Sequence, residues 1–193
     1  MHAHGSRIRV LAATLTAAVI AGAATASAAS VPRAPAAADR AELSRLAQSY
    51  LQQRADLVTR PAAQAPVPEP PTAATPSMRA GLRTEFAVLV RRGRAYQQAD
   101  GGYIRATVEV KVNDATLNGR TASLHLTEDT RLHHPLTPAQ VAAGAPEYEA
   151  YALPHTLTFT RAPSGSWLLA SDRPEPNDGG LAPSTQVARP HTT

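Results

Sequence analysis

His125 and Glu109 are the two residues of this sequence best placed to move a proton. Each sits one position out of phase with an apolar run: Val108 and Val110 flank Glu109, and Leu124 and Leu126 flank His125. On neighbouring strands such residues share a face. If that face lines a hollow, an imidazole and a carboxylate there form a general acid–base pair. The competing reading makes Thr107, Glu109, Lys111, Ser123 and His125 the wet outer face that an antiparallel sheet commonly has. The mixed sign of Glu109 and Lys111 favours the wet face, so the two stand as candidates and no residue is assigned as catalytic. His133-His134 is the other eye-catching pair. A metal needs three or four ligands, and Glu128 and Asp129 are the only acids just upstream. Adjacent strand residues also point to opposite faces. Solvent-exposed loop histidines are therefore expected, with no metal and no cofactor.

A second chemistry is binding. Arg79, Arg83, Arg91 and Arg94 fall within about 120° of one another on a helical projection, with Arg92 nearby. Such a stripe can touch an anionic wall polymer or lipid headgroups. It can equally be the solvated side of an amphipathic helix, the stems covering apolar surface. Tyr148 and Tyr151, with Trp167, could stack on a sugar or peptide. In a chain with 4% aromatics, packing is the expected use. There is no Gly-rich phosphate loop and no G-x-S-x-G nucleophile elbow.

Where the protein works is read from its first 28 residues. Arg7 and Arg9 precede an uncharged Ala/Val/Leu run from Val10 to about Ala24, and Ala26-Ser27-Ala28 gives small residues at the −3 and −1 positions. That is the anatomy of a secretory signal peptide. The run of about 15 residues is short of the roughly 20 that span a bilayer, so no stable membrane anchor is expected after cleavage. The formal charge of +4 falls to +2 without Arg7 and Arg9. That is too little to point to nucleic acid. The basic residues are Arg except for Lys111, which with heavy Ala and Pro usage reads as GC-rich codon bias. Cysteine is absent. This excludes a cysteine-anchored lipoprotein, a thiol hydrolase and a cysteine-ligated zinc protein, and leaves packing alone to hold the fold.

The elements that must position these residues follow from periodicity. Residues 29–38 read as an Ala/Pro spacer. A helix is expected from Asp39, as its N-cap, to Thr59, with Leu43, Leu46, Ala47, Tyr50, Leu57 and Val58 on one face. Arg60-Pro61 ends it. Residues 61–76 carry six prolines and read as an extended, solvated connection. A second helix is expected from Ser77 to about Gln98, bent or broken at Gly93. After Asp100-Gly101-Gly102 the period changes to 2. Strands are expected at Tyr103–Val112, Thr121–Leu132, Tyr148–Arg161 and Trp167–Ser171. Asn118-Gly119 turns the first hairpin, a short helical turn falls at Pro138–Ala143, and Pro154 implies an edge or a bulge. The roll spans residues 39–173, and 174–193 read as a disordered tail. Helices followed by strands mean α+β: two helices packed on a curved antiparallel sheet of about four strands.

This layout resembles the nuclear transport factor 2-like (cystatin-like) roll, a cone whose last strand begins at a Gly-x-Trp, here Gly165-Ser166-Trp167. More narrowly, Leu46–Asp172 resembles the N-terminal region of secreted actinobacterial proteins that carry an amidase domain. Four segments bear the likeness: Tyr50-Leu51-Gln52-Gln53-Arg54-Ala55, Tyr148-Glu149-Ala150-Tyr151, His155-Thr156-Leu157-Thr158-Phe159 and Trp167-Leu168-Leu169-Ala170-Ser171-Asp172. In such proteins a cysteine-containing amidase domain follows; here the sequence stops at Thr193 without cysteine, so no hydrolytic residue carries over. The resemblance implies an accessory module, standing alone or left from a shortened gene. The expectation is a secreted, non-catalytic binding module at the cell envelope. Its partner would be a cell-wall polymer or another secreted protein, and the sheet face could support a homodimer. The alternative is a small secreted enzyme using His125 and Glu109 in a cone pocket.

Overall fold

The period change at residue 101 separates two helices from four strands, as the sequence pattern requires. The computed structural model describes residues 31–61 and 66–175. The export pattern, residues 29–30, residues 62–65 of the proline-rich connection and residues 176–193 of the expected tail lie outside the described residues. The elements are α1 (Ala37–Thr59), α2 (Pro76–Asp100), β1 (Arg105–Asn118), β2 (Thr121–His133), α3 (Pro138–Ala142), β3 (Tyr148–Arg161) and β4 (Trp167–Pro174). The strands form one antiparallel sheet in the order β1-β2-β3-β4. No described helix is long and apolar enough to cross a membrane.

The inner face of the sheet carries Ala106, Val108, Ala122, Leu124, Leu126, Leu132, Leu157, Phe159, Trp167 and Leu169, and these pack on Leu43, Ala47, Leu51, Leu82, Phe86 and Leu89 of the helices. In a flat sheet the outer strands of four lie about 14 Å apart, more than the 10–12 Å width of a helix. Yet α1 bonds both. Gln48 donates to Val108 O (2.7 Å) and accepts from Val110 N (3.0 Å); Gln52 donates to Ala106 O (3.0 Å) and accepts from Val108 N (2.9 Å). At the far side Asp39 accepts from the Trp167 indole (3.1 Å) and from Arg161. The sheet therefore curls around α1. The two glutamine amides act as a surrogate strand along the edge of β1, where open backbone groups would otherwise recruit another chain.

Several expectations are corrected. Asp39 does not cap α1, which starts at Ala37; the carboxylate lies in the first turn and faces β4. The Trp167 hydrogen bond and Arg161 hold it below the usual carboxylate range. The cap of α2 is Thr75, not Ser77: its hydroxyl accepts from Met78 N at 3.3 Å. The helix runs unbroken through Gly93, where a Cβ would meet Val58 O at 2.5 Å; the glycine marks a close helix–helix approach. The spacer and connection are not wholly free. Arg33 bridges Leu117 on β1, and Ala73 and Thr75 pair with Leu169 on β4. The first hairpin turns through Gly119-Arg120, with Asn118 paired to Thr121. Gly119 alone takes positive φ (58°), which fits a type II′ turn. Pro154 lies where the β4 register ends, so β3 has β2 alone beside it in that register from there back to Tyr148.

Candidate functional site

Two β-bulges decide which polar side chains enter the interior. On β4 the register slips between Thr158 and Phe159, and Ala170 is the extra residue. Simple alternation from Trp167 and Leu169 would turn Ser171 inward and Asp172 outward; the slip reverses this and buries Asp172. On β1 the slip between Val112 and Asp114 keeps Ala115 and Leu117 inward.

Asp172 is the hub of a buried ionic cluster. Its Oδ2 accepts from Tyr50 Oη (2.9 Å) and from Arg54, whose Nη1 also donates to Tyr50 Oη (2.9 Å). Tyr50 and Arg54 meet because they are one helical turn apart on α1. Asp172 Oδ1 lies 2.7 Å from His155 Nδ1. On the other side of the ring, His155 Nε2 lies 2.8 Å from Glu128 Oε2, close but off the N–H direction. Thr130 Oγ1 donates to Glu128 Oε1 at 2.6 Å. The His155 side chain is 0% exposed, and Arg54, Asp172 and Glu128 are 5% exposed or less. Arg54 and His155 thus face the carboxylates of Asp172 and Glu128, with a third carboxylate, Glu85, beside them.

The environment fixes its protonation. Burial works against the imidazolium of His155, but its hydrogen bond to the Asp172 carboxylate and the adjacent charge of Glu128 outweigh it and push the ring up to about 9. Burial works against the Asp172 carboxylate as well; His155 and Arg54 still hold it below its ordinary value. Tyr50 is pushed well up, chiefly by burial. Glu85 of α2, half-buried beside the cluster, is raised by burial. At neutral pH His155 is thus a locked cation with both ring nitrogens facing carboxylates. A general base needs a free lone pair; this ring has none to offer.

The residues singled out from the sequence stand elsewhere. Glu109 and His125 are both exposed on the outer sheet face. Glu109 is opposite Asp129, four ladder positions from His125 and so about 13 Å away. The acid–base pair is not assembled. His125 Nδ1 instead lies 3.1 Å from Thr156 Oγ1, which donates to Glu175 Oε1 at 2.7 Å. Arg83 and Arg91 of the α2 stripe are exposed, and Arg83 lies 3.6 Å from Glu69; Arg79 and Arg94 are half-buried. Tyr151 is half-buried, and its hydroxyl is engaged by a carboxylate. It and Tyr103 (2.9 Å) both donate to Glu149 Oε2, and burial with that carboxylate pushes Tyr151 up to about 12. Tyr148 is exposed, with His133 5.4 Å from its ring centre and the Arg131 guanidinium over it at 5.5 Å. His133 and His134 face different partners: His133 meets Arg105 at 3.2 Å, and His134 lies 3.6 Å from Glu149. No group of three metal-ligating side chains occurs among the described residues.

Two of the clefts among the described residues bear on function. One, about 540 Å³, runs between α1 and residues 71–73 and is lined by Arg45, Leu46, Ser49, Gln53 and Leu169 among others. The second, about 520 Å³, lies at the far end of the sheet, between the start of β1, the end of β2 and α3. It is lined by Ile104, Arg105, His133, His134, Leu136, Val141 and Glu147.

No family model matches this chain, and no curated protein sequence matches it. Among solved structures, the chain is similar to the intermembrane-space region of the chloroplast protein ARC6, at 15% identity and a TM-score of 0.31, over 68% of this chain and 95% of that one. At that score the likeness carries no argument about function. What the geometry establishes is an α+β fold, two helices followed by an open four-stranded antiparallel sheet, with a buried ionic cluster of Arg54, Glu128, His155 and Asp172.

Proposed function

We propose that this chain is an exported, non-catalytic binding module that works at the cell envelope. The observation that carries the reading is the state of His155. It is the buried histidine among the described residues, both its ring nitrogens face carboxylates, and it lines neither of the two clefts, although Tyr50 of its cluster lines the first. The polar chemistry of the interior is spent on holding α1 to β2, β3 and β4. The exposed features are of a different kind: a cationic stripe on α2 and clefts that mix apolar and charged walls. The export pattern of residues 1–28 supports a site of action outside the membrane. The resemblance read from the sequence of Leu46–Asp172, to the N-terminal region of secreted amidase-domain proteins of actinobacteria, implies such a module, and no matching family model stands behind it. The Arg stripe is then the surface that meets an anionic wall polymer, at a salt-sensitive strength.

The test is co-sedimentation of the exported chain, without its first 28 residues, with isolated actinobacterial cell wall. Binding is expected at low salt and a several-fold loss at about 0.5 M, within the screening length of surface charges. Neutralising Arg83 and Arg91, the exposed members of the stripe, should reproduce the high-salt loss at low salt. Absence of sedimentation at both salt concentrations contradicts the envelope reading.

A further inference from the structure

The second cleft has the makeup of a ligand site rather than of leftover surface. Five large apolar side chains are exposed among the described residues, and three of them converge here: Ile104 (64% exposed) and Val141 (48%) line the cleft, and Tyr148 (42%) stands against its His133. Scattered exposed apolar residues need no explanation, whereas a cluster rimmed by polar groups marks a binding surface. The way α3 is built points the same way. This five-residue helix buries no side chain, so the core does not require it. It is nevertheless fixed by a complete capping box, Thr137 Oγ1 accepting from Gln140 N and Gln140 Oε1 accepting from Thr137 N, and by Pro138 at its start. Its effect is to hold Leu136 and Val141 over the cleft.

The charges are placed with opposite signs. Arg105 rests its Nη2 against the His133 ring, 3.2 and 3.3 Å from the two nitrogens, and its guanidinium has further N–H groups to give. Burial and the neighbouring Arg105 keep His133 low in pKa, so it supplies a neutral support. Glu147 is an exposed carboxylate on the same lining. The other nearby acid, Glu149, is occupied by Tyr103, Tyr151 and His134. A guanidinium, a carboxylate and an apolar wall within about 520 Å³ match a zwitterion with small apolar side chains.

We propose that this cleft binds the free carboxylate end of a short apolar peptide, Arg105 receiving the carboxylate, Glu147 the peptide's amino group, and Ile104, Leu136 and Val141 its side chains. The proposal gives the binding reading a ligand class and rests on that reading. Its residues are separate from the α2 arginines, so each test can fail alone.

The experiment is a titration of the exported chain, labelled on its Ile, Leu and Val methyls, with the dipeptide alanyl-alanine and with its C-terminal amide. Methyl shifts are expected at Ile104, Leu136 and Val141, with affinity for the free acid about tenfold or more above that for the amide, since a charge-assisted contact is lost. Arg105→Gln removes that difference while its melting temperature stays with the parent's. Glu147→Gln weakens alanyl-alanine several-fold and leaves N-acetyl-alanyl-alanine unchanged. Equal affinity for acid and amide overturns the proposal. So do shifts confined to other methyls, or none up to about 10 mM, the weak end of specific recognition. Burial of these methyls in a dimer, seen as concentration-dependent shifts without ligand, overturns it too.

Discussion

Asp172→Asn is expected to lower the melting temperature by roughly 10–20 °C, equivalent to a loss of about 3–5 kcal/mol. The substitution keeps the size of the side chain, so no cavity forms and the effect reads the charge. It leaves Arg54 and His155, both buried, facing one carboxylate less. Replacing a buried ion pair wholesale by apolar groups is often neutral, but removing one partner strands the other charge in a medium that cannot solvate it. A domain of this size is held by about 5–15 kcal/mol in all, so the loss is a large share. The pH dependence has a definite sign. His155 is raised from 6.5 to about 9, so its contribution is complete below pH 6.5 and lost as pH rises through 9. Asp172 is lowered from 3.8, so its contribution is present above that value and lost as pH falls further. The parent is therefore most stable between about pH 4 and 6.5 and declines toward pH 9. In Asp172→Asn the alkaline decline flattens, because His155 has lost its nearest carboxylate. Thermal melts across pH 4–10 check both features. A variant that melts with the parent and keeps its alkaline slope contradicts the account of the cluster.

Gly93→Ala is expected to destabilise by about 2 kcal/mol, and Gly93→Val by more. Two effects compete. Alanine in place of glycine inside a helix gains about 1 kcal/mol of propensity. Against that, the new Cβ would sit 2.5 Å from Val58 O and 2.9 Å from Val58 C and Cα. These are backbone atoms of α1 and cannot rotate away, so the helices must separate. Overpacking costs about 1–3 kcal/mol, and here it falls at the upper end. Gly81 of the same helix is the control. Nothing lies within 4 Å of a Cβ built there, so Gly81→Ala should stabilise by up to about 1 kcal/mol. Denaturant melts of the two alanine variants should move in opposite directions. Parallel movement would mean that Gly93 is not a contact point.

The order of elements was legible because hydrophobic period is a strong local signal. The 3.6 period of Leu43, Ala47 and Tyr50 and the alternation of Val108, Leu124 and Leu157 put the right residues inside. Part of the ionic cluster was also written in phase. Glu128 and Thr130 continue the inward series Ala122, Leu124, Leu126 and rejoin it at Leu132. His155 lies between Leu153 and Leu157, and Arg54 falls one turn beyond Tyr50 on a buried helical face. A charged residue in an apolar phase is a stronger pointer to a buried site than His125 and Glu109, which lie in the exposed phase. Asp172 was not legible. It enters the core through a bulge at Ala170, and nothing in Leu169-Ala170-Ser171-Asp172 signals the extra residue. The same limit applied at Asp39 and Gly93. The first reads as a cap and the second as a helix breaker until a residue far along the chain, Trp167 or Val58, supplies the partner.

The central claim is that the chain's best acid–base group is a locked cation and its function lies on its surface. The most direct measurement is an NMR titration of the His155 ring in the chain without residues 1–28. A ring that stays protonated through neutral pH and gives up its proton only near pH 9 is the result this account predicts. A ring that titrates near 6.5 would be a neutral base at working pH, free to take a proton, and would contradict the claim in favour of an enzyme built around the core.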